Sequence, residues 1–529
     1  MNVHDTRNWC VAGSLLALTF GVNTALFAQP VPADAEDGVQ VLTRGPVHEA
    51  FAETVTYDPE AGIVAPTGPP APIEEVPPEQ RIEGDNVAWI PGYWGWDDER
   101  NDFLWISGIW RALPPGRQWV PGYWGKSDQG FQWTSGYWAD AEASEVEYLP
   151  EPPASVEVGP NIAAPSADHT WLPGCWLWRN GRYAWRPGFW ATAQPNWVWV
   201  PARYVWAPRG YVFVDGYWDH SIERRGVLFA PVHFNKNVYA QQGFSYSPTT
   251  VIDLAALTSH LFLRPRYQHY YFGDYYAANY SGAGFLPWFT VNTGRSGYDP
   301  IFAHHRWRNR RDSGWEQRQR TEFQNRRTHE NIRPPRTWAD HAEMRTRQMR
   351  GDDRSSIFAE TLDDFRNRAD RSVRFQPVNQ SERQQFIDHA RKVQRFREER
   401  QRLELNEERG RAESRGGHLG SGKVRFSGSP IVSPRGNGRG GDQTPPRMHG
   451  VPNPDPNVAP RPRMHRSAGT RQERTVNRMP LDSRGTHPQR RHETEGAGPR
   501  RGNGPTNSPP AGSKQDKHKE KGKGKDKSK

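Results

Sequence analysis

Three groupings in this 529-residue chain carry side chains that could do chemistry. Asp97-Asp98-Glu99 sets three carboxylates side by side, His304-His305 offers a pair of imidazoles, and Cys175 a thiol. None comes with the partners such chemistry needs. Adjacent acids in a turn are ordinarily solvated turn formers, and the histidine pair lacks the spaced ligands of a metal site. The other cysteine, Cys10, sits in the N-terminal apolar segment, so no internal disulfide or CxxC site is expected. Cys175 stands where sister segments carry Tyr93, Tyr123 and Phe189, which reads as a small apolar filler. GxSxG, HExxH and the phosphate-binding glycine loop are all absent. The sequence thus points to a non-enzymatic chain with no catalytic residue, metal ligand or cofactor.

The remaining chemistry is aromatic. Of 23 tryptophans, 18 fall between Trp89 and Trp218. An indole face either fills a core or stacks on a flat ligand such as a sugar ring. These residues keep time: Trp89, Trp105, Trp119 and Trp133, then Trp171, Trp185, Trp199 and Phe213, open six-residue cassettes of the form WxPGxW or WxSGxW, mostly 14 residues apart. A fixed period means one supersecondary unit copied in series, here two blocks of four. Between cassettes lie polar turns, among them Asn180-Gly181, whose residues suit the positive φ of a type I′ hairpin. The elements are therefore strands.

The Pro-Gly pair inside a cassette admits two readings. It is either a type II turn facing its two Trp across a miniature hairpin, or a bend within one strand. The bend is preferred, because a type II turn splays strands and Ser107-Gly108, Ser135-Gly136 and Asp215-Gly216 dispense with proline. It predicts a four-strand antiparallel meander per block. If side chains alternate, one aromatic of each cassette is buried and the other exposed. The candidate ligand-contact residues are then Trp94, Trp110, Trp124, Trp138, Trp176, Trp190 and Trp218.

The cassettes Trp89-Ile90-Pro91-Gly92-Tyr93-Trp94, Trp119-Val120-Pro121-Gly122-Tyr123-Trp124 and Trp185-Arg186-Pro187-Gly188-Phe189-Trp190 resemble the WXXGXW (YXWGXW) repeat family of exported bacterial proteins. The resemblance covers about a quarter of the chain, residues 89–218. It implies a secreted or envelope-associated protein and supplies no catalytic residues. Two units depart from it: Trp199-Val200-Pro201-Ala202-Arg203-Tyr204 loses the Gly and the second Trp, and Phe213-Val214-Asp215-Gly216-Tyr217-Trp218 loses the first Trp.

Around the repeats, the sequence reads as a mainly β head with a helical and then a disordered continuation. Residues 1–28 look like a signal peptide, with an uncleaved anchor as the alternative, since the apolar run is long enough to span. Residues 29–86 form an acidic Pro-rich spacer, 87–139 the first repeat block, 140–169 a Pro/acid linker and 170–219 the second block. A Tyr/Phe-rich β extension follows over 220–303, then an Arg-rich helical region over 304–410 and a disordered basic tail over 411–529. In the helical region Ser381 and Gln384 form a capping box. Phe386, Ala390, Val393 and Leu403 make a narrow stripe, and Gly410 ends a helix expected to be solvated or partner-bound rather than part of a core.

Charge divides along the same line: net −13 over residues 1–300, +7 over 301–410 and +16 over 411–529. An acidic head and a basic tail allow self-association. Nucleic acid is an improbable partner, because no aromatic residue follows Phe426 to stack on bases. The expected function is that of a structural or adhesive protein of the cell envelope, located in the periplasm, at the cell surface or outside the cell. Its aromatic head engages a protein or glycan and its tail attaches by charge. The alternative is a polysaccharide-binding module with exposed Trp platforms.

Overall fold

The computed structural model describes residues 38–293, 297–348, 358–368, 373–413 and 422–434. The expected signal segment and the tail beyond residue 434 lie outside them. Within the repeats, each two successive cassettes fold into one long antiparallel hairpin with a bend in both arms. In the first, Val87–Ile90 and Tyr93–Asp97 make one arm and Asp102–Ile106 and Ile109–Ala112 the other. Trp89 stands opposite Trp110, and Trp94 opposite Trp105. The same register places Trp119 against Trp138 and Trp124 against Trp133 in the second hairpin. Trp171 faces Trp190 and Trp176 faces Trp185 in the third, and Trp199 faces Trp218 in the fourth.

The expected strands and bends are present, but the block is a pair of hairpins and not a meander. Among the described residues no ladder joins the last arm of one hairpin to the first arm of the next. Turn chemistry decides this. Asn101 at φ 51°, and Asn180 and Gly181 at 50° and 74°, close tight turns within hairpins, whereas the connections 113–116 and 193–196 leave neighbouring arms apart. The cassette glycines are not among the positive-φ residues, which excludes the type II turn and leaves the bend.

Strands from elsewhere extend three of the hairpins. Gly226–Leu228 pairs with the first, Val64–Ala65 with the second, and Glu145–Leu149 with the fourth. The third hairpin gains no further strand among the described residues. The 220–303 extension is β-rich as expected. Its strands Leu261–Arg264 and His269–Phe272 form a sheet with Leu286–Pro287 and with Gly45–Pro46 from the N-terminal segment. One large core joins the parts, with Phe51, Trp119, Trp138, Tyr270 and Phe272 all nearly inaccessible.

Two expectations need correcting. The helix Gln380–Glu413 runs through Gly410 and is a core element. Phe386 packs edge-on against Trp110, and Val393, Phe396, Arg400 and Glu404 are buried. The apolar stripe was legible, but the deepest contacts of the helix are charged. Arg400 bonds Glu404 and donates Nη1 to the carbonyls of Pro121 and Ser135, each at 2.9 Å, while Glu404 accepts from Tyr123 and Tyr148 at 2.7 Å. Its N-terminal box is Asn379 with Glu382, each side chain bonding the other's backbone N–H, and not Ser381 with Gln384. Second, the region assigned to the disordered tail contains Gly422–Arg425, a strand on Glu145–Leu149, followed by the buried Ile431. Among the described residues no helix is long and apolar enough to cross a membrane.

Candidate binding site on the bent tryptophan hairpins

Each bend is a joint between a glycine and an indole. The first Trp of one cassette lays its ring over the glycine of the opposing cassette. A Cβ on Gly108 would lie 2.5 Å from Cζ2 of Trp89, on Gly188 2.5 Å from Trp171, and on Gly216 2.4 Å from Trp199. The cassette needs glycine for space rather than for backbone conformation. The same ring meets its cross-strand partner edge-on or tilted, with centroids 5.1 Å apart for Trp89–Trp110 and 5.4 Å for Trp171–Trp190. That geometry suits the quadrupoles of two aromatic rings.

A glutamate from a Pro-rich segment plugs three of the four bends. Glu75 accepts from the backbone N–H of Gly92 at 2.7 Å, from that of Gly108 at 2.8 Å and from Trp105 Nε1 at 3.0 Å. Glu49 takes Gly136 N and Trp133 Nε1, both at 2.9 Å. Glu157 takes Gly174 N at 2.5 Å and Trp171 Nε1 at 3.1 Å. Burial pushes the Glu75 carboxyl up to about 7 and raises that of Glu49, against the pull of these donors. The fourth hairpin, with Ala202 in place of a glycine, has no such plug among the described residues. Gly216 N there bonds the side chain of Asp215, and nearby Glu53 pairs with Arg203.

These glutamates were missed at the sequence level, although a signal was present. Glu75 and Glu157 each precede the first Trp of their hairpin by 14 residues, so the repeat clock begins one beat earlier than the tryptophans suggest. Both also follow a Pro-Pro-Ala, at Pro69-Pro70-Ala71 and Pro152-Pro153-Ala154. The alanine carbonyls accept from equivalent indoles: Trp94 Nε1 reaches Ala71 at 3.0 Å and Trp176 Nε1 reaches Ala154 at 3.1 Å. The Pro-rich segments are thus straps docked along hairpins and not free spacers.

Of the seven proposed contact residues, Trp94, Trp110, Trp124, Trp138 and Trp218 are buried, with Trp110 at 0% exposure. Trp176 and Trp190 are half-buried and share the third hairpin with half-buried Trp171, Trp178, Tyr183 and Trp185. Trp176, Trp178, Tyr183 and Trp185 lie on one face, as two cross-strand pairs. Arg179 and Arg182 project at the hairpin's exposed tip. Over this hairpin runs the strap 150–162, in which only Glu157 is buried, while Val156, Val158 and Ile162 are 53%, 69% and 62% exposed. Its contacts are mainly through backbone: Tyr183 Oη donates to the Pro150 carbonyl, and Trp190 Nε1 to that of Ile162 at 2.9 Å.

The other chemical groupings are committed elsewhere. Asp98 pairs with Arg264 at 2.6 Å and Glu99 with Arg44 and Arg336, so the turn acids anchor the first hairpin to neighbouring elements rather than facing solvent unpaired. Burial lowers His304 to about 3 and His305 to about 4. Burial also raises the Cys175 thiol, in keeping with its role as a filler. Among the described residues no three His, Cys, Asp or Glu side chains are grouped to hold a metal.

Comparison with protein families matches the WXXGXW repeat (2 copies) to residues 84–111, 167–191 and 195–219. The first matched copy spans the first bent hairpin, and the other two fall on the third and fourth. Comparisons with curated proteins and with solved structures found no match.

Proposed function

We propose that this chain of WXXGXW repeats is an exported, non-catalytic scaffold of the cell envelope, and that its third hairpin is the face that engages a partner. One observation carries the reading: the first two hairpins bury every tryptophan and the fourth leaves only Trp199 and Trp206 half-buried, whereas the third keeps all of its tryptophans half-exposed beside exposed Arg179 and Arg182. Buried Trp pairs in the first block supply rigidity, since each large ring removes much apolar surface from water. The acids and imidazoles that could have served catalysis are engaged in ion pairs or held neutral by burial, which favours binding over turnover. In this reading the basic residues beyond 434 add attachment by charge, which weakens as salt screens it.

The test is acrylamide quenching of Trp emission in the full chain, with and without purified envelope polysaccharide. The expected result is a quenchable minority of indoles, reduced by Trp176→Ala with Trp190→Ala. Uniformly protected emission that no envelope component changes would sink the proposal. Protection by polysaccharide would favour the glycan platform, to which the same half-exposed rings and arginines lend support.

A further inference from the structure

The chain holds a closely similar peptide-on-hairpin complex twice, differing in the indole its glutamate takes, Trp105 in the first and Trp171, the counterpart of Trp89, in the second. In both copies Pro-Pro-Ala lies on the hairpin with the alanine carbonyl bonded to an indole N–H, and a glutamate three or four residues later enters the bend to take a glycine N–H and a second indole. The two copies differ in how they are held. The first strap is fastened from outside: Glu74–Glu75 forms a parallel ladder with Ser245–Tyr246, Glu74 pairs with Arg391 at 3.0 Å, and Arg383 donates to the Pro77 carbonyl. The second has no ladder among the described residues and only its glutamate is buried.

We infer that the third hairpin is a receptor for a proline-rich peptide of the form Pro-Pro-Ala followed by Glu, presented by another protein, and that strap 150–162 is its displaceable resident. The inference rests on the proposal that this hairpin is the partner-binding face, and it names the partner's chemistry. A proline-rich segment is extended before it binds, so little ordering opposes docking on an aromatic surface. The glutamate supplies register, because two donors converge where its carboxylate sits. The exposed Val156, Val158 and Ile162 show how little of the resident strap is anchored.

The experiment uses the full chain carrying Glu157→Gln, which loosens the resident strap, and a fluorescent peptide with the sequence of residues 150–162. The peptide should bind this variant at least tenfold more tightly than it binds the wild-type chain, where the tethered strap competes. A peptide with Gln replacing its Glu should bind at least tenfold more weakly than the parent. Equal binding of the two peptides, or no binding to a variant with unchanged circular dichroism, overturns the inference. Should the variant not fold, hydrogen exchange on the wild-type chain decides. A displaceable strap requires the Gly174 amide and Trp176 indole to exchange at least 100-fold faster than Gly92 and Trp94, and equal protection overturns the inference. Indoles shielded by polysaccharide while the peptide fails to bind would remove the peptide and leave the binding face standing. Indoles uniformly protected from acrylamide would remove both.

Discussion

Gly108→Ala tests the joint between glycine and indole most directly. The added methyl would lie 2.5 Å from Cζ2 of Trp89, 2.6 Å from Oε2 of Glu75 and 2.8 Å from the Ile90 carbonyl oxygen. Carbon atoms in comfortable contact sit about 3.5–4.0 Å apart, so the ring must retreat by roughly 1 Å. It has nowhere to go, being 1% exposed and held by Trp110 at 5.1 Å and Phe229 at 6.1 Å. Overpacking of this kind costs about 1–3 kcal/mol. Displacing Glu75 from the Gly108 N–H adds about 1 kcal/mol or more, and the stiffer unfolded chain returns about 0.4–1 kcal/mol. The expected net loss is about 1–4 kcal/mol on these terms. Urea unfolding followed by Trp emission should show a lower midpoint at unchanged slope. Gly282→Ala, where an added Cβ meets nothing within 4 Å, is the control. If the two variants unfold within about 0.5 kcal/mol of each other, the range of ordinary surface changes, the space argument fails.

Glu75 gives the chain a pH dependence of definite sign. Its carboxyl binds protons more readily folded than unfolded, so its contribution is complete below the unfolded value near 4.5 and is lost as pH rises through about 7. Relative to Glu75→Gln, the wild type should lose stability between pH 5 and 8, by at most about 1.4 kcal/mol per pH unit, and paired urea titrations would read it. Glu404→Leu alone strands the buried Arg400 and should cost about 3–5 kcal/mol, whereas Arg400→Met with Glu404→Leu should recover much of that loss in the same unfolding assay. Trp94→Ala should cost about 3–5 kcal/mol as a buried ring, and Trp176→Ala clearly less because its ring is already half in water. Equal losses would contradict the distinction between the first and third hairpins.

The tryptophan clock made the arms, their bends and the β character legible, because period and turn residues are local signals. Which arms pair was less legible, since four equally spaced strands fit a meander as well as two hairpins. The choice lies in turn geometry at Asn101 and Asn180-Gly181 against the connections 113–116 and 193–196. Glu75 and Glu157 escaped notice because an acid among prolines looks like solvated linker. Only its phase with the tryptophans betrays a buried partner. Arg400 and Glu404 went unnoticed for the same reason: four residues apart on a helix, they resemble a surface pair, and nothing local says that Tyr123 and Tyr148 close over them. Five of the seven proposed contact residues failed by the same logic. Alternation alone could not tell Trp176 from Trp94, because the difference lies in what distant segments cover.

The reach of the contact between Tyr123 and Glu404, 281 residues apart in the chain, has a consequence for the nascent protein. A polypeptide made from its N-terminus has the glutamates of the first three hairpins in place before the arms that close on them, so each bend can shut as it is made. The second hairpin then waits for most of the remaining chain. Until residue 404 has been added, the hydroxyl of Tyr123 and the carbonyls of Pro121 and Ser135 face no helix. Premature termination between residues 304 and 400 would release a product whose joints are locked but whose flank is open.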